Sequence, residues 1–144
     1  MCGIIGSTKY KITRNTLNSL SHRGPDDRGI LSGFDNKLSL GHTRLSILGL
    51  ADGHQPMAAV DGTAAISFNG EIYNYLELKE TLHAEGVELS TGSDTEVLLN
   101  YYLIFGLEKT LEDVNGMFSF ALYDWVIDSL FLVRDRVGIK PLFY

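Results

Sequence analysis

The sequence predicts an α+β domain built in layers. Three observations carry that reading: strand-like segments fill most of the first half, two helical segments follow one another after residue 73, and two further strand-like segments come near the end. A strict strand-helix alternation, which would call for a parallel sheet, is not what this order describes. At 144 residues the chain suits one domain able to bury well over half of the surface its unfolded form exposes. Neither an internal repeat nor a Pro- or Ser-rich linker divides it.

The first strand is expected from Cys2 to Ser7, where CGIIGS is short, apolar and β-branched. Asn15 to Leu20 suits a short helix, and SHRGPDDRG then supplies the Gly, Pro and Asp of a loop. Strands are expected at Gly29 to Phe34, Leu38 to Ile47 and Ala64 to Asn69. Between Tyr73 and Glu85, Tyr75, Leu78 and Leu82 recur at helical spacing, and Gly86 supplies a stop. Ser93-Asp94-Thr95-Glu96 fits a capping box at the start of a second helix that Gly106 should end. Its apolar residues cover more than one face, so it should be well buried. Met117 to Tyr123 and Leu130 to Val133 read as a hairpin joined by the polar Asp124 to Ser129 segment.

Composition excludes several classes of function. The net charge of −6, with 12 scattered Lys and Arg, opposes broad nucleic-acid affinity. No apolar run approaches the ~20 residues of a membrane span, so no membrane partner is expected. A single Cys cannot form an internal disulfide, which points to a reducing, cytoplasmic setting. Four dispersed His and no H-E-x-x-H or glycine-rich phosphate loop argue against a metal or phosphate site. The apolar ending at Leu142-Phe143-Tyr144 leads to the expectation of a C-terminally truncated domain.

A few residues are equipped for chemistry. Removal of Met1 would place a thiol and a free α-amine on Cys2 together, and such an amine has an ordinary pKa of ~7.7–8.0. One residue can then supply both nucleophile and general base, although a lone Cys more often serves as a small buried apolar group. Asn69 offers a side-chain amide, and Gly70 lets its N–H approach a ligand without a Cβ in the way. Two such donors can hold an oxyanion, yet Asn-Gly is also the commonest tight-turn dipeptide. Arg44 can grip a carboxylate with two parallel hydrogen bonds; alone it is more often a surface ion-pair partner. Asp94 suits an ammonium, and equally the first turn of any helix.

Eight blocks, taken in order, resemble one family: MCGIIG, HRGPD (His22 to Asp26), GHTRLSI (Gly41 to Ile47), QPM (Gln55 to Met57), FNGEIYN (Phe68 to Asn74), GSDTEV (Gly92 to Val97), NGMFSFALYD (Asn115 to Asp124) and RDRVGIKPLFY (Arg134 to Tyr144). The chain is similar to the class II glutamine amidotransferase domain of the N-terminal-nucleophile hydrolases, in its asparagine synthetase branch. The resemblance implies a four-layer αββα sandwich and hydrolysis of glutamine to glutamate and ammonia. It assigns Cys2 as nucleophile, with its α-amine as proton shuttle, and Asn69 and Gly70 as the oxyanion hole. Arg44 would hold the substrate carboxylate, Asp94 helped by Glu71 its ammonium, and the backbone of Leu45, Ser46, Ile47 and Leu48 would line the pocket. No cofactor is implied for this domain. ATP and Mg are implied for a synthetase domain that is absent here and would stand in cis or as a separate ammonia-accepting subunit. Amidotransferases that feed amino-sugar or phosphoribosylamine synthesis, and a non-catalytic scaffold, are the alternatives.

Overall fold

The computed structural model describes residues 1–33, 37–46 and 53–144. Strands β1 (Gly3–Ser7), β2 (Asp27–Ser32) and β3 (Ser39–Arg44) form an antiparallel sheet in the order β1-β3-β2. Central β3 is buried at all six positions because both of its faces are covered. On its outer face, Gly41 leaves room for Ile5, Ile12 and Leu17, and Leu17 belongs to helix α1 (Arg14–Asn18). A reciprocal pair of bonds between Thr13 and Thr16 starts that helix.

The second sheet holds β4 (Met57–Ala58), β5 (Ala64–Ile72), β6 (Gly116–Asp124) and β7 (Ser129–Arg134), in that order and all antiparallel. Strand alternation divides its residues between two interfaces. Ile66, Phe68, Phe120 and Leu122 join the main core with Leu78 and Leu82 of α2 (Tyr75–Ala84) and Val97, Leu98 and Tyr101 of α3 (Asp94–Asp113). Ala121 and Tyr123 point the other way and meet Leu38 and Leu40 beside the first sheet. Further along the same seam, His42 Nδ1 lies 3.2 Å from Ser67 Oγ. The layers therefore run helix, sheet, sheet, helices, which is the αββα order that the resemblance implies.

The second long helix does break at Gly106, which takes φ 76° and ψ 172°, as expected; unexpected is the further helical stretch that follows it to Asp113. The capping box is only half made: Thr95 N donates to Ser93 Oγ, but the Glu96 carboxylate turns away to accept from Ser90 N at 2.8 Å and Thr91 N at 2.6 Å. The preceding loop thus takes the carboxylate that was expected to cap the helix. The loop expected from Ser21 to Gly29 holds a short 3-10 turn at Ser21–Arg23 and gives way to β2 at Asp27. Strand β5 runs past Asn69 to Ile72, so Asn69-Gly70 lies inside a strand and makes no turn. β4, too short for periodicity to reveal, was not foreseen. The expected strand ends at Phe34 and Ile47 lie outside the described residues. No helix among the described residues is long and apolar enough to cross a membrane.

Candidate active site

The geometry of the site begins with the free side of β5. In an antiparallel strand every second residue directs its N–H toward the same edge. Phe68 N donates to Gln55 Oε1 at 2.7 Å, and Ile72 N donates to Asp94 Oδ2 at 3.0 Å. Gly70 lies between them in register, so its N–H points toward that edge as well. Opposite Gly70 on β6, Phe118 uses its own groups toward Asp135: its N–H donates to Oδ2 and its carbonyl accepts from Asp135 N. A Cβ at Gly70 would stand 2.7 Å from Phe118 Cα. The glycine is therefore needed for close packing against β6, a reason different from the ligand approach expected of it.

Around this edge lies a small cleft lined by Cys2, Arg44, Leu45, Gly70, Glu71 and Asp94, with Gln55, Phe68, Ser93 and Thr95 completing its wall. Met1 precedes Cys2 here, so the Cys2 nitrogen is an amide. The thiol is half-buried; Leu45 N donates to Sγ at 3.4 Å, and Arg23 donates to the Cys2 carbonyl. Burial pushes the thiol above its usual pKa, against the pull of the Leu45 hydrogen bond, the chain's amino terminus and the Arg44 charge. Arg44 ends β3 and is buried, not the exposed ion-pair partner that its type alone suggests. Burial also raises the carboxyls of Asp94 and Glu71; Asp94 raises Glu71 further, while Lys140 draws it down. The cleft therefore brings together a guanidinium and two carboxyls that burial disfavours as anions.

The remaining candidates divide. Asn69 is buried on β5 with its side chain toward the first sheet, beside the cleft and not in its lining. Leu45 is in the lining; Ser46 is not, and its N–H donates to Asp26 Oδ2 at 2.8 Å. Ile47 and Leu48 lie outside the described residues. Among the described residues no three His, Cys, Asp or Glu side chains group as a metal site.

Two residues escaped the residue-by-residue reading. Gln55 is 5% exposed and spans the cleft wall, donating from Nε2 to Thr95 Oγ1 at 3.1 Å while accepting from Phe68 N. Lys140 is equally buried, and its Nζ donates to Met1 Sδ at 3.0 Å. It is brought there by a loop wound on Asp135, whose carboxylate accepts from the N–H groups of Val137, Ile139 and Lys140. Both sit in blocks quoted for the resemblance, QPM and RDRVGIKPLFY, and only that membership marked them.

A family model described as a glutamine amidotransferase domain matches residues 1–144. Asparagine synthetase (glutamine-hydrolyzing) 2 of Bacillus subtilis (strain 168) is 41% identical over 100% of this chain, which corresponds to 20% of that protein. A putative asparagine synthetase (glutamine-hydrolyzing) 2 of Methanocaldococcus jannaschii is 40% identical over 100% of the chain and 32% of its own length. The chain thus spans between a fifth and a third of the length of these relatives. In fold it is similar to a glutamine phosphoribosylpyrophosphate amidotransferase from B. subtilis, with a TM-score of 0.74 and 23% identity over 97% of this chain and 38% of that one. With a family model covering every residue and relatives near 40% identity along the whole chain, this protein belongs to the glutamine amidotransferase domain family.

Proposed function

We propose that the chain hydrolyses the side-chain amide of glutamine through a thioester on Cys2, and that the ammonia passes to an ATP-dependent synthetase domain making asparagine from aspartate. The observation that carries this reading is the meeting of the chain's one thiol with a buried guanidinium and two carboxyls around a single cleft. A free amino acid presents one carboxylate and one ammonium, and Arg44 faces the first as Asp94 and Glu71 face the second.

Removing Met1 turns the Cys2 nitrogen into an α-amine, and a thiol raised by burial needs such a base beside it. The amine takes the Sγ proton, the thiolate attacks the amide carbon, and the carbonyl electrons move to oxygen. The Asn69 amide and the Gly70 N–H donate to that oxyanion. The C–N bond then breaks as the amine returns its proton to the leaving nitrogen, releasing ammonia and leaving a thioester. A water that gives its proton to the same amine attacks the thioester, and the C–S bond breaks to yield glutamate and the free thiol. Leu45, which is in the cleft lining, supplies backbone to the substrate side.

This domain needs no cofactor. ATP and Mg belong to the synthetase domain, in cis or on a separate subunit; the greater length of the relatives named as asparagine synthetases leaves room for a further domain in cis. We assign the reaction to the cytoplasm, where a lone thiol stays reduced. Cys2→Ala is expected to abolish ammonia release from glutamine, measured beside intact-mass analysis that verifies loss of Met1. Full activity in that variant overturns the mechanism.

A further inference from the structure

Gln55 touches all three of the layers that build the cleft. Its backbone lies on Gly29 of β2 so closely that a Cβ there would overlap the Gln55 carbonyl oxygen. Its side-chain oxygen accepts from Phe68 N of β5, and its side-chain nitrogen donates to Thr95 Oγ1 at the start of α3. Phe68 immediately precedes Asn69-Gly70, and Thr95 immediately follows Asp94.

Past the short pairing of β4 with Ala65 and Ile66, three further N–H groups of β5 face that edge: Phe68, Gly70 and Ile72. The outer two are held by side chains, Gln55 at one end and Asp94 at the other, and the middle one faces the cleft between them. A buried amide holding one end of such an edge, and fastened also to the helix that carries Asp94, sets the distance between the two halves of the site.

We propose that Gln55 is a positioning residue for glutamine hydrolysis: it clamps the edge of β5 to the start of α3, so that the Gly70 N–H and the Asp94 carboxylate address the same bound substrate. This inference rests on the glutaminase reading of the cleft. Gln55 itself takes no part in bond making, and its effect reaches the substrate through Gly70 and Asp94.

The test compares two reagents on Cys2 of the processed protein: a diazoketone analogue of glutamine, which must be held at both charged ends to react, and iodoacetamide, which need not be. Gln55→Met keeps length and shape but removes both hydrogen bonds. It is expected to slow the glutamine analogue roughly ten- to a hundredfold while leaving the iodoacetamide rate within about twofold. Gln55→Glu restores an acceptor for Phe68 N and lets the Thr95 hydroxyl turn to donate, so it should recover most of the lost selectivity. If Gln55→Met does not melt cooperatively, Gln55→Asn takes its place, since it is polar but one carbon too short to reach both partners. Equal slowing of both reagents, or loss that only follows the unfolded fraction, would mean a purely structural role and overturns the proposal. Wild-type protein that takes the glutamine analogue elsewhere than on Cys2 overturns the glutaminase reading, and this inference with it; correct wild-type labelling with an unselective Gln55→Met effect overturns this inference alone.

Discussion

Asp94 serves the fold and the cleft at once. Its Oδ2 accepts from Ile72 N and so ties α3 to β5, while burial holds its carboxyl above the ordinary range. Glu71 is raised as well, first by burial and then by Asp94. A raised carboxyl adds stability below its unfolded pKa, and that contribution is lost as pH climbs through the folded value. At neutral pH the two groups therefore cost stability, and a bound ammonium offsets that cost. Asp94→Asn keeps an acceptor for Ile72 N, so it is expected to melt at or above the wild-type temperature. Its KM for glutamine should rise roughly ten- to a hundredfold, the loss of a charged hydrogen bond. Ammonia release across a range of glutamine concentrations checks this, and an unchanged KM would remove Asp94 from substrate binding. At this scale residue type alone pointed Arg44 to the surface, whereas it is buried and, with Asp94, lines the cleft. For Gln55 it was no guide, because an amide declares nothing until its two partners are known.

Helix α3 shows what periodicity can and cannot reveal about an element. Its start was legible, since Ser93 is followed by the acidic residues and apolar pattern of a helix. Gly106 does interrupt it, as its stop signal implies; what periodicity did not reveal is the helical stretch that follows to Asp113, where the Thr110 hydroxyl donates back to the Gly106 carbonyl at 2.7 Å. Gly106 combines φ 76° with ψ 172°, a region only glycine enters readily. A Cβ built there meets nothing within 4 Å, so any cost of substitution is conformational and not steric crowding. Gly106→Ala is expected to lower stability by about 1–3 kcal/mol. Gly106→Asn should give no relief, because asparagine eases the left-handed helical region and not this one. Urea unfolding of both variants is the measurement; an alanine variant as stable as wild type would show that the helix closes across the break.

Across the whole molecule, the seam between the sheets changes character along its length. Leu38, Leu40, Ala121 and Tyr123 fill one end, His42 and Ser67 the middle, and the cleft opens beside Arg44. His42 is fully buried, its Nε2 has no hydrogen-bond partner among the described residues, and its pKa falls to about 3, through burial first and then the nearby Arg44 charge. A histidine kept neutral by the fold stabilises above its unfolded pKa of 6.5, and that stability is lost as pH falls toward about 3. Wild-type stability to urea should therefore drop across this window, against the opposite trend from Glu71 and Asp94, whose carboxyls are raised. His42→Gln should flatten the drop; an equal slope in the variant would assign acid sensitivity elsewhere. What the sequence determined alone was the kind of each longer element, the thiol at position two and the family, since alternation, helical spacing and ordered motif blocks are written along the chain. Only the tertiary structure decided that Asn69 sits beside the cleft, that Gln55 bridges its walls and that Lys140 is buried against Met1. Those outcomes depend on strand register and layer packing, which join residues far apart in sequence and leave no periodic trace in it.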